Sequence, residues 1–224
     1  MMNKAKHQFP RFITVEGGEG AGKTTLIKTL EEAFSAKGIS VVITREPGGT
    51  PFGEAMREWL LTRQSTVSIG TKAELLLFLA ARSQHIEEVI NPAIAAGSCV
   101  ICDRYNDSSV AYQGAGRGLG VDWVRALCDS ICGNVSPEIT LYLDVDPKIG
   151  LERRLKVTKD NAPAGEVDRI EAEKLEFHQR VRNAFLEMAK QEPKRFHRID
   201  ASMPLNVVAN EALSIVMGSC TVDV

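Results

Sequence analysis

The sequence lacks any apolar run long enough to cross a bilayer. The longest, Leu75–Ala81, falls far short of the roughly 20 residues that a spanning helix needs. The longer stretch Val89–Cys102 is interrupted by polar residues, a proline and a glycine. The two lysines near the N-terminus are followed by no secretory apolar segment, so we expect residues 1–10 to form a frayed tail. We therefore predict a protein without a membrane partner.

An excess of either charge is also missing. The 27 lysine and arginine residues and the 29 aspartate and glutamate residues leave a formal charge of −2. That balance argues against a nucleic-acid partner, which would favour a basic surface. The five cysteines are an odd number, typical of reduced thiols in a cytoplasmic protein rather than of a disulfide framework. Their spacing lacks a companion ligand pair, so we interpret Cys99, Cys102, Cys128 and Cys132 as core thiols.

Short apolar runs alternate with longer helical patterns along the chain. Runs of this length between helices are typical of βαβ units and of a parallel sheet covered on both faces. The sequence therefore predicts an α/β fold with a parallel five-stranded sheet. The five runs are Phe12–Val15, Val41–Thr44, Cys99–Cys102, Leu141–Val145 and Phe196–Ile199. No repeat or second domain boundary interrupts the pattern, so we expect one domain over residues 1–224.

Helix boundaries are predicted from capping residues. Thr71 with Glu74 has the spacing of a capping box, and Gly38 suits the position just after a helix. Asp122 and Ser202 are candidate N-caps. The stretch Lys159–Gly165 resembles a linker and suits a mobile flap. The predicted helices are Gly22–Gly38, Thr71–Pro92, Asp122–Cys132, Arg169–Gln191 and Ser202–Met217.

The strongest signal is a glycine-rich string that follows the first apolar run. It matches G-x-x-x-x-G-K-[ST] at every fixed position, between a predicted strand and a helix. Glycines let backbone N–H groups converge on phosphate oxygens, and a helix N-terminus adds about half a positive charge. We expect Lys23 to reach the β- and γ-phosphates of ATP and the Thr24 hydroxyl to bind Mg²⁺. The predicted ATP-binding residues are Gly17, Gly18, Glu19, Gly20, Ala21, Gly22, Lys23, Thr24 and Thr25.

Other nucleotide-binding classes fit the sequence less well. A dinucleotide fold would need glycine at the sixth place counted from Gly18, where Lys23 stands. A GTPase would need a base-reading Asn-Lys-x-Asp after a strand, and the nearest string, Thr71–Glu74, begins a predicted helix instead. A small chain with arginines outside the loop favours a phosphate-bearing second substrate.

Candidate residues for that second substrate follow the predicted strands. Arg45, Asp103 and Arg104 come just past the carboxyl ends of strands, the edge at which open α/β sheets bind ligands. Arginine suits a phosphate there because its planar fork forms paired hydrogen bonds. Phe78 and Arg82 are four residues apart on one helix face, so one can stack on a base while the other bonds its edge.

These strings together resemble those of the bacterial thymidylate kinase (dTMP kinase) family from Phe12 to about Ala201. The Arg-Glu-Pro-Gly-Gly-Thr string is more diagnostic than the phosphate loop. The resemblance implies a three-layer P-loop kinase fold with a small lid at about residues 153–168. The matching strings are Glu16–Thr25, Thr44–Thr50, Phe78–Arg82, Asp103–Tyr105, Ala111–Gly114, Tyr142–Asp144 and Asp168–Glu171.

The resemblance also implies residue roles. Phe78 would stack on thymine, Arg82 would bond its edge, and Gln113 or Ser109 would bond near N3. Arg45, Arg104 and Arg57 would hold the 5′-phosphate. The remaining roles are Tyr112 beside the sugar 2′ position, Glu19 at the 3′-hydroxyl and Asp103 near Mg²⁺. Family members are usually homodimers, so we expect a homodimer that makes dTDP for dTTP biosynthesis.

The lid departs from the family pattern. Members with an acidic residue in the phosphate loop usually carry a catalytic arginine in a compact lid. Here Arg153 and Arg154 precede a longer basic segment, so they are the first candidates, followed by Lys156 and Lys159. The resemblance therefore implies Lys23, Arg104, Arg153 and Arg154 as the catalytic cations, with Arg169 as an alternative member of the anchor Asp168–Glu171.

Two other functions fit the same residues. One is a deoxynucleoside kinase or another nucleotide kinase; a nucleoside acceptor would need a general base near its 5′-hydroxyl, for which Glu46 or Asp103 could serve. A nucleotide-binding regulator without turnover would keep the loop but need not keep the full set Lys23, Thr24, Arg45, Asp103 and Arg104.

Overall fold

A parallel sheet of five strands is the centre of the fold, in the order β2-β3-β1-β4-β5. The computed structural model describes residues 9–62, 68–161 and 168–218, with only the backbone for 157–161. The sequence prediction of the sheet is confirmed, although β4 lies slightly earlier than expected. The strands are β1 (Phe12–Gly17), β2 (Val41–Arg45), β3 (Cys99–Asp103), β4 (Ile139–Asp144) and β5 (Phe196–Asp200).

Helices cover both faces of this sheet. Within β1, Phe12 packs in one apolar cluster while Ile13 and Val15 pack in another, because successive side chains point to opposite faces. Cys99 and Cys102 divide in the same way, and both are buried free thiols, as are Cys128 and Cys132. The predicted three-layer α/β arrangement is therefore confirmed. Cys220 lies outside the described residues.

The helices are α1 (Lys23–Ala36), α2 (Pro51–Leu61), α3 (Thr71–His85), α4 (Asn91–Ala95), α5 (Asn106–Ser109), α6 (Val121–Cys132), α7 (Pro147–Asn161), α8 (Leu175–Gln191) and α9 (Leu205–Gly218). Two π-helical segments, Ile86–Ile90 and Val110–Gly116, continue α3 and α5. Helices α1 and α9 cover one face, and α3, α6 and α8 cover the other. No described helix combines the length and the apolar character that spanning a bilayer requires.

Helix α3 begins at Thr71 as predicted, but two other helix starts and two predicted caps are wrong, and Gly120 rather than Asp122 is the N-cap of α6. The capping box of Thr71 and Glu74 does not form, because Gly70 is the N-cap and Glu74 turns inward to bond distant side chains. The long helix begins at Leu175 rather than Arg169, since Asp168 accepts hydrogen bonds from the following backbone and closes a turn. Ser202 likewise bonds Asp200 in a turn before α9.

The sequence prediction also missed α2 and α7. Helix α2 begins with Thr50, whose hydroxyl accepts from the Gly53 backbone N–H, and with a proline at its first position. Helix α7 runs through the start of the expected lid, so residues 153–161 are helical. The rest of that lid, 162–167, lies outside the described residues, as do residues 1–8 of the expected tail. Phe9, within that tail, packs edge-on against Phe34.

Candidate active site

The strand register brings the predicted site residues to one edge of the sheet. Asp103 at the end of β3 is paired with Val15 of β1 on one side and with Arg45 of β2 on the other. The glycine-rich loop leaves β1 at the same level. Above these strand ends lies a cleft of about 800 Å³. Such an edge is the expected position of a ligand site in an open α/β sheet.

The phosphate loop wraps around the N-terminus of α1. Gly22 is the N-cap in the left-handed region, with φ 95°, a conformation that glycine adopts without steric cost. The Lys23 ammonium donates to the carbonyl oxygens of Gly17 (3.2 Å) and Gly18 (3.1 Å). Burial, with Arg104 nearby, lowers the pKa of Lys23. An anion bound in this loop would give the Lys23 ammonium a negatively charged partner in place of the two carbonyl oxygens.

Arg104 faces the loop from the end of β3. Its φ of 71° is the one positive value among the described non-glycine residues, so the backbone turns sharply at this point. Its guanidinium donates to Glu19 Oε1 (2.6 Å) and to the Tyr112 hydroxyl (3.1 Å), and it lies 5.0 Å from the centre of the Tyr112 ring. Burial opposes the charge, but Tyr112 and Glu19 raise the pKa of Arg104 above its usual value.

Two carboxylates of the loop region have different environments. Burial alone would raise the pKa of Glu19, but positive charges, Arg104 first, lower it. Glu16, at the end of β1, is fully buried, and burial raises its pKa to about 7. Glu16 accepts from the Tyr105 backbone N–H (2.8 Å) and the Ser108 hydroxyl (2.6 Å). It therefore fixes the backbone on the C-terminal side of Arg104, a role that the sequence analysis missed.

A second group of arginines lies beside the turn that follows β2. The Arg45 guanidinium donates to Glu54 Oε2 (3.0 Å), and Glu54 Oε1 accepts from the Gly49 backbone N–H (3.0 Å). Arg57 donates to the Pro47 carbonyl oxygen (2.9 Å). Burial lowers the pKa of Arg57, and the charge of Arg45 acts in the same direction. Two cations therefore converge near one end of the cleft.

The deepest part of the cleft is built around Arg82. This side chain is only 1% exposed and donates through Nε to Glu46 (2.7 Å), through NH2 to the Tyr105 carbonyl (3.0 Å) and through NH1 to the Ser109 hydroxyl (3.1 Å). Although burial opposes it, the Glu46 carboxylate raises the pKa of Arg82. Phe78 lies one helical turn earlier on α3, half-buried at the cleft wall.

Glu46 is held in place rather than available as a general base. One of its oxygens accepts from Arg82, and the other lies 2.9 Å from His85 Nδ1. His85 in turn contacts the Thr44 hydroxyl through Nε2 (2.6 Å). This buried network joins the end of β2 to α3. It contradicts the alternative in which Glu46 activates a nucleoside hydroxyl.

A second buried carboxylate orients the opposite wall. Gln113 donates through Nε2 to Glu74 (2.8 Å), which also accepts from Arg117 (3.2 Å) and forms a close ion pair with Arg169. Arg169 donates as well to the Leu60 carbonyl (3.0 Å). Arg169 is therefore part of the scaffold around the cleft and is not one of its lining residues.

The lid arginines lie on α7 at the mouth of the cleft. Arg153 donates to the Ala201 carbonyl (2.8 Å), and Arg154 donates to Glu171 Oε1 (3.0 Å). Lys156 also lines the cleft, whereas the side chain of Lys159 lies outside the description. Arg154 contributes to the lowered pKa of Glu19, behind Arg104, Lys23 and His178. Its positive charge therefore acts on a residue of the phosphate loop.

The structure brings every sequence-predicted substrate residue to this one cleft, together with the loop from Glu19 to Thr25 and both lid arginines. The lining residues predicted for the second substrate are Glu19, Arg45, Arg57, Phe78, Arg82, Arg104, Ser109, Tyr112 and Gln113. The sequence analysis missed the buried groups that hold them: Glu16, Glu74 and His85. Their partners lie 39 to 95 residues away in the chain, so no local pattern reveals them.

Comparisons with known proteins agree on one family. The family model described as thymidylate kinase matches residues 15–212. A thymidylate kinase of Protochlamydia amoebophila is 54% identical over 202 residues, which is 90% of each chain. One of Magnetococcus marinus is 52% identical over 89% of this chain and 91% of its own. A crystal structure of thymidylate kinase from Ehrlichia chaffeensis superposes with a TM-score of 0.71 at 34% identity, covering 91% of this chain and 96% of that one.

Proposed function

The chain belongs to the thymidylate kinase family, and from that premise we propose how its cleft performs the reaction. The enzyme transfers the γ-phosphoryl group of ATP to dTMP, giving dTDP and ADP. The observation that supports our assignment of residues is the single cleft in which a phosphate loop faces two groups of arginines. Such a cleft suits two phosphorylated substrates that meet end to end.

The thymine of dTMP would lie against Phe78, with Arg82 beside its edge. Because Arg82 directs most of its donors to Glu46, Tyr105 and Ser109, its position is fixed before substrate binds. That preorganisation reduces the conformational entropy lost on binding. Ser109 and Gln113 line the same end of the cleft and would bond near N3.

The 5′-phosphate would lie between Arg45, Arg57 and Arg104. Glu54 and Glu19 hold two of these cations in the free enzyme, and a dianionic phosphate would compete for their guanidinium groups. Glu19 would then be available to the sugar 3′-hydroxyl, and Tyr112 would crowd the 2′ position. The acceptor phosphate has a second pKa near 6, so no strong general base is needed at pH 7.

Catalysis would then consist of positioning and charge neutralisation. Lys23 would leave the carbonyl oxygens of Gly17 and Gly18 for the phosphates of ATP. Arg104 would hold the attacking phosphate in line. Of the two lid arginines, Arg154 is the stronger candidate for the transferred group, because its charge acts on Glu19 of the phosphate loop, although it must leave Glu171 to reach that group. Closing the lid would exclude water, the competing acceptor.

Thr24 and Asp103 fit a magnesium site. Asp103 Oδ1 is buried and has no hydrogen-bond partner among the described residues, although it lines the cleft beside the phosphate loop. Hydroxyl and carboxylate oxygens are the ligands that Mg²⁺ prefers, and it keeps several waters besides. We propose that these two residues hold Mg²⁺ on the ATP side of the cleft. A bound Mg²⁺ would neutralise charge on the β- and γ-phosphates.

An acceptor panel tests the proposed function. Purified enzyme with ATP should convert dTMP to dTDP, with dCMP and thymidine as comparators. Since thymine differs from uracil by one methyl group, worth about 1–3 kcal/mol, dUMP should be used about 10–200-fold less efficiently. Phosphate on thymidine rather than dTMP would indicate the nucleoside kinase alternative. ATP consumption unaffected by dTMP would indicate a regulator.

Replacing Phe78 with alanine should raise the KM for dTMP far more than the KM for ATP. The ring lies in the pyrimidine half of the cleft and is only half-buried, so its loss removes stacking without opening the core. Steady-state kinetics with each substrate varied in turn measure the two values. Leu79→Ala is the matched control, since that neighbour is buried in the core. Equal effects on both substrates would place Phe78 in the core as well.

We also propose that the enzyme is a homodimer through the outer side of α2, α3 and α6. These helices pack on one another and carry the exposed Trp59, Leu76 and Trp123. Light scattering at micromolar concentration should give twice the mass of the chain. Leu76→Arg should shift the protein to monomer, whereas Ile149→Arg, exposed on α7, should not. A native protein that scatters as a monomer would contradict the proposal.

A further inference from the structure

The underside of the phosphate loop rests directly on the backbone of the lid helix. A Cβ atom built on Gly20 would lie 2.0 Å from the Gly150 carbonyl oxygen, and one built on Gly150 would lie 2.3 Å from the Glu19 carbonyl oxygen. Contacts under 3.0 Å force something to move, and here both obstructing atoms belong to the backbone. The two segments therefore approach so closely that neither can carry a side chain.

This contact lies one helical turn from the lid arginines. Gly150 stands in the first turn of α7, and Arg153 and Arg154 follow three and four residues later on the same helix. Because a helix is rigid, the position of its first turn fixes the position of the next. The contact with the phosphate loop therefore also fixes where the two guanidinium groups lie relative to that loop. Glycine is otherwise an unfavourable choice in a helix, about 1 kcal/mol worse than alanine.

We infer that Gly150 is a positioning residue, which holds the lid arginines in register with the phosphate loop. The inference rests on the proposed role of those arginines. A methyl group at Gly150 must push the loop and helix apart. Displacements of about 1 Å in a positioning element cost up to roughly 10²-fold in rate. The thymine end of the cleft, built on α3 and the end of β2, stays in place.

Gly150→Ala should therefore lower kcat by about 10- to 100-fold and weaken ATP binding more than dTMP binding, because the phosphate loop with Glu19 moves while the thymine site does not. The measurements are single-turnover rates and equilibrium binding of each nucleotide. Gly218→Ala, a helical glycine whose added Cβ meets no atom, is the matched control and should behave as native. Since alanine favours a helix, the absence of any role for this close contact predicts an unchanged or slightly raised melting temperature together with native activity, and that result would overturn the inference.

A double-mutant comparison distinguishes misplacement of the lid arginines from a general loss of structure. If Gly150 acts through the lid, Arg154→Ala should cost much less in the Gly150→Ala background than in the native one. Multiplicative losses would overturn the inference. A native kcat for Arg154→Ala alone would instead contradict the proposed lid role of this arginine. In that case the ATP affinity of Gly150→Ala tests the contact by itself. Weaker ATP binding would support the role of the contact, and native ATP binding would overturn it.

If Gly150→Ala fails to fold, Leu151→Ala tests the same contact by removing packing instead of adding it. Leu151 borders a small cavity of about 20 Å³ beneath Gly18 and Glu19. Its truncation should loosen α7 against the loop and lower kcat in the same direction, with ATP binding weakened more than dTMP binding. Native kcat and native ATP affinity in a folded Leu151→Ala protein would overturn the inference.

Discussion

Lys23→Ala should lower kcat/KM for dTMP phosphorylation by about 10³-fold or more, equivalent to about 4 kcal/mol of transition-state stabilisation. In the free enzyme, the Lys23 ammonium bonds only two loop carbonyl oxygens, Gly17 O and Gly18 O. Those carbonyl oxygens offer far less compensation than phosphate oxygens, which carry full negative charge. Lys23 would therefore contribute its largest stabilisation in the transition state, in which the γ-phosphoryl group is being transferred.

The same contacts predict that the fold survives the change. Removing Lys23 leaves no buried carboxylate without its ion pair, because Glu19 keeps Arg104 at 2.6 Å. Thermal denaturation should give a melting temperature close to native. Lys28→Ala on the same helix is the matched control, since Lys28 is exposed and outside the cleft. A folded Lys23→Ala enzyme with near-native turnover would remove this lysine from the mechanism.

The phosphate loop was predictable because its determinants are local. Glycines, lysine and threonine stand within eight consecutive residues, Gly17–Thr24, and the flanking apolar run and helix pattern complete the signal. The five strands were predictable for a similar reason: in a sheet buried on both faces they become short continuous apolar runs. Where neighbouring residues determine the function or the fold, the sequence alone is enough to predict it.

The capping box that was predicted for α3 but does not form shows where that reasoning stops. Thr71 and Glu74 have the spacing of a capping box, yet Glu74 is 1% exposed and bonds Gln113, Arg117 and Arg169. Those partners are 39, 43 and 95 residues away. The Glu74 carboxylate is more stable when it is surrounded by three buried donors than it would be at a helix end. No residue near Glu74 in the sequence indicates that these donors are present.

The sequence analysis missed helix α2 for a different reason. Thr50 followed by Pro51 is a local N-cap signal, but the preceding Pro-Gly-Gly and the internal Gly53 favour a loop. Gly53 is required because its backbone lies against Gly48, where a Cβ would come 2.5 Å from the carbonyl oxygen. That close approach orients α2 so that Arg57 reaches the cleft. The glycine that obscured the helix thus helps to build the site.

Arg104 replacements should separate catalysis from stability. Arg104→Ala is expected to lower kcat/KM for dTMP by about 10³-fold, since an arginine at the transferring group contributes roughly 10³–10⁵ in rate. Arg104→Lys should recover only part of this, because an ammonium cannot bond Glu19 and the Tyr112 hydroxyl through one planar fork. Initial rates with dTMP varied at saturating ATP provide the measurement.

The backbone at this position allows a sharper comparison. Arg104 has φ 71°, which costs a residue with a Cβ about 1–2 kcal/mol, whereas glycine adopts it freely. Arg104→Gly should therefore be as inactive as Arg104→Ala yet more stable than it. Both variants leave Glu19 without its ion pair, so that loss cancels between them. The difference in their melting temperatures gives the backbone strain minus the greater unfolded-state entropy of glycine, which is worth about 0.4–1 kcal/mol.

Retention of that strain is informative in itself. The sharp turn lets the Arg104 backbone N–H donate to Val15 O (3.1 Å) while its guanidinium reaches back to the phosphate loop. An extended backbone at residue 104 would be unstrained but would carry the side chain past the cleft. An Arg104→Gly enzyme that is both active and more stable would show that the guanidinium is dispensable. A glycine variant less stable than the alanine variant by the entropy cost of glycine, about 0.4–1 kcal/mol, would show that the turn is not strained.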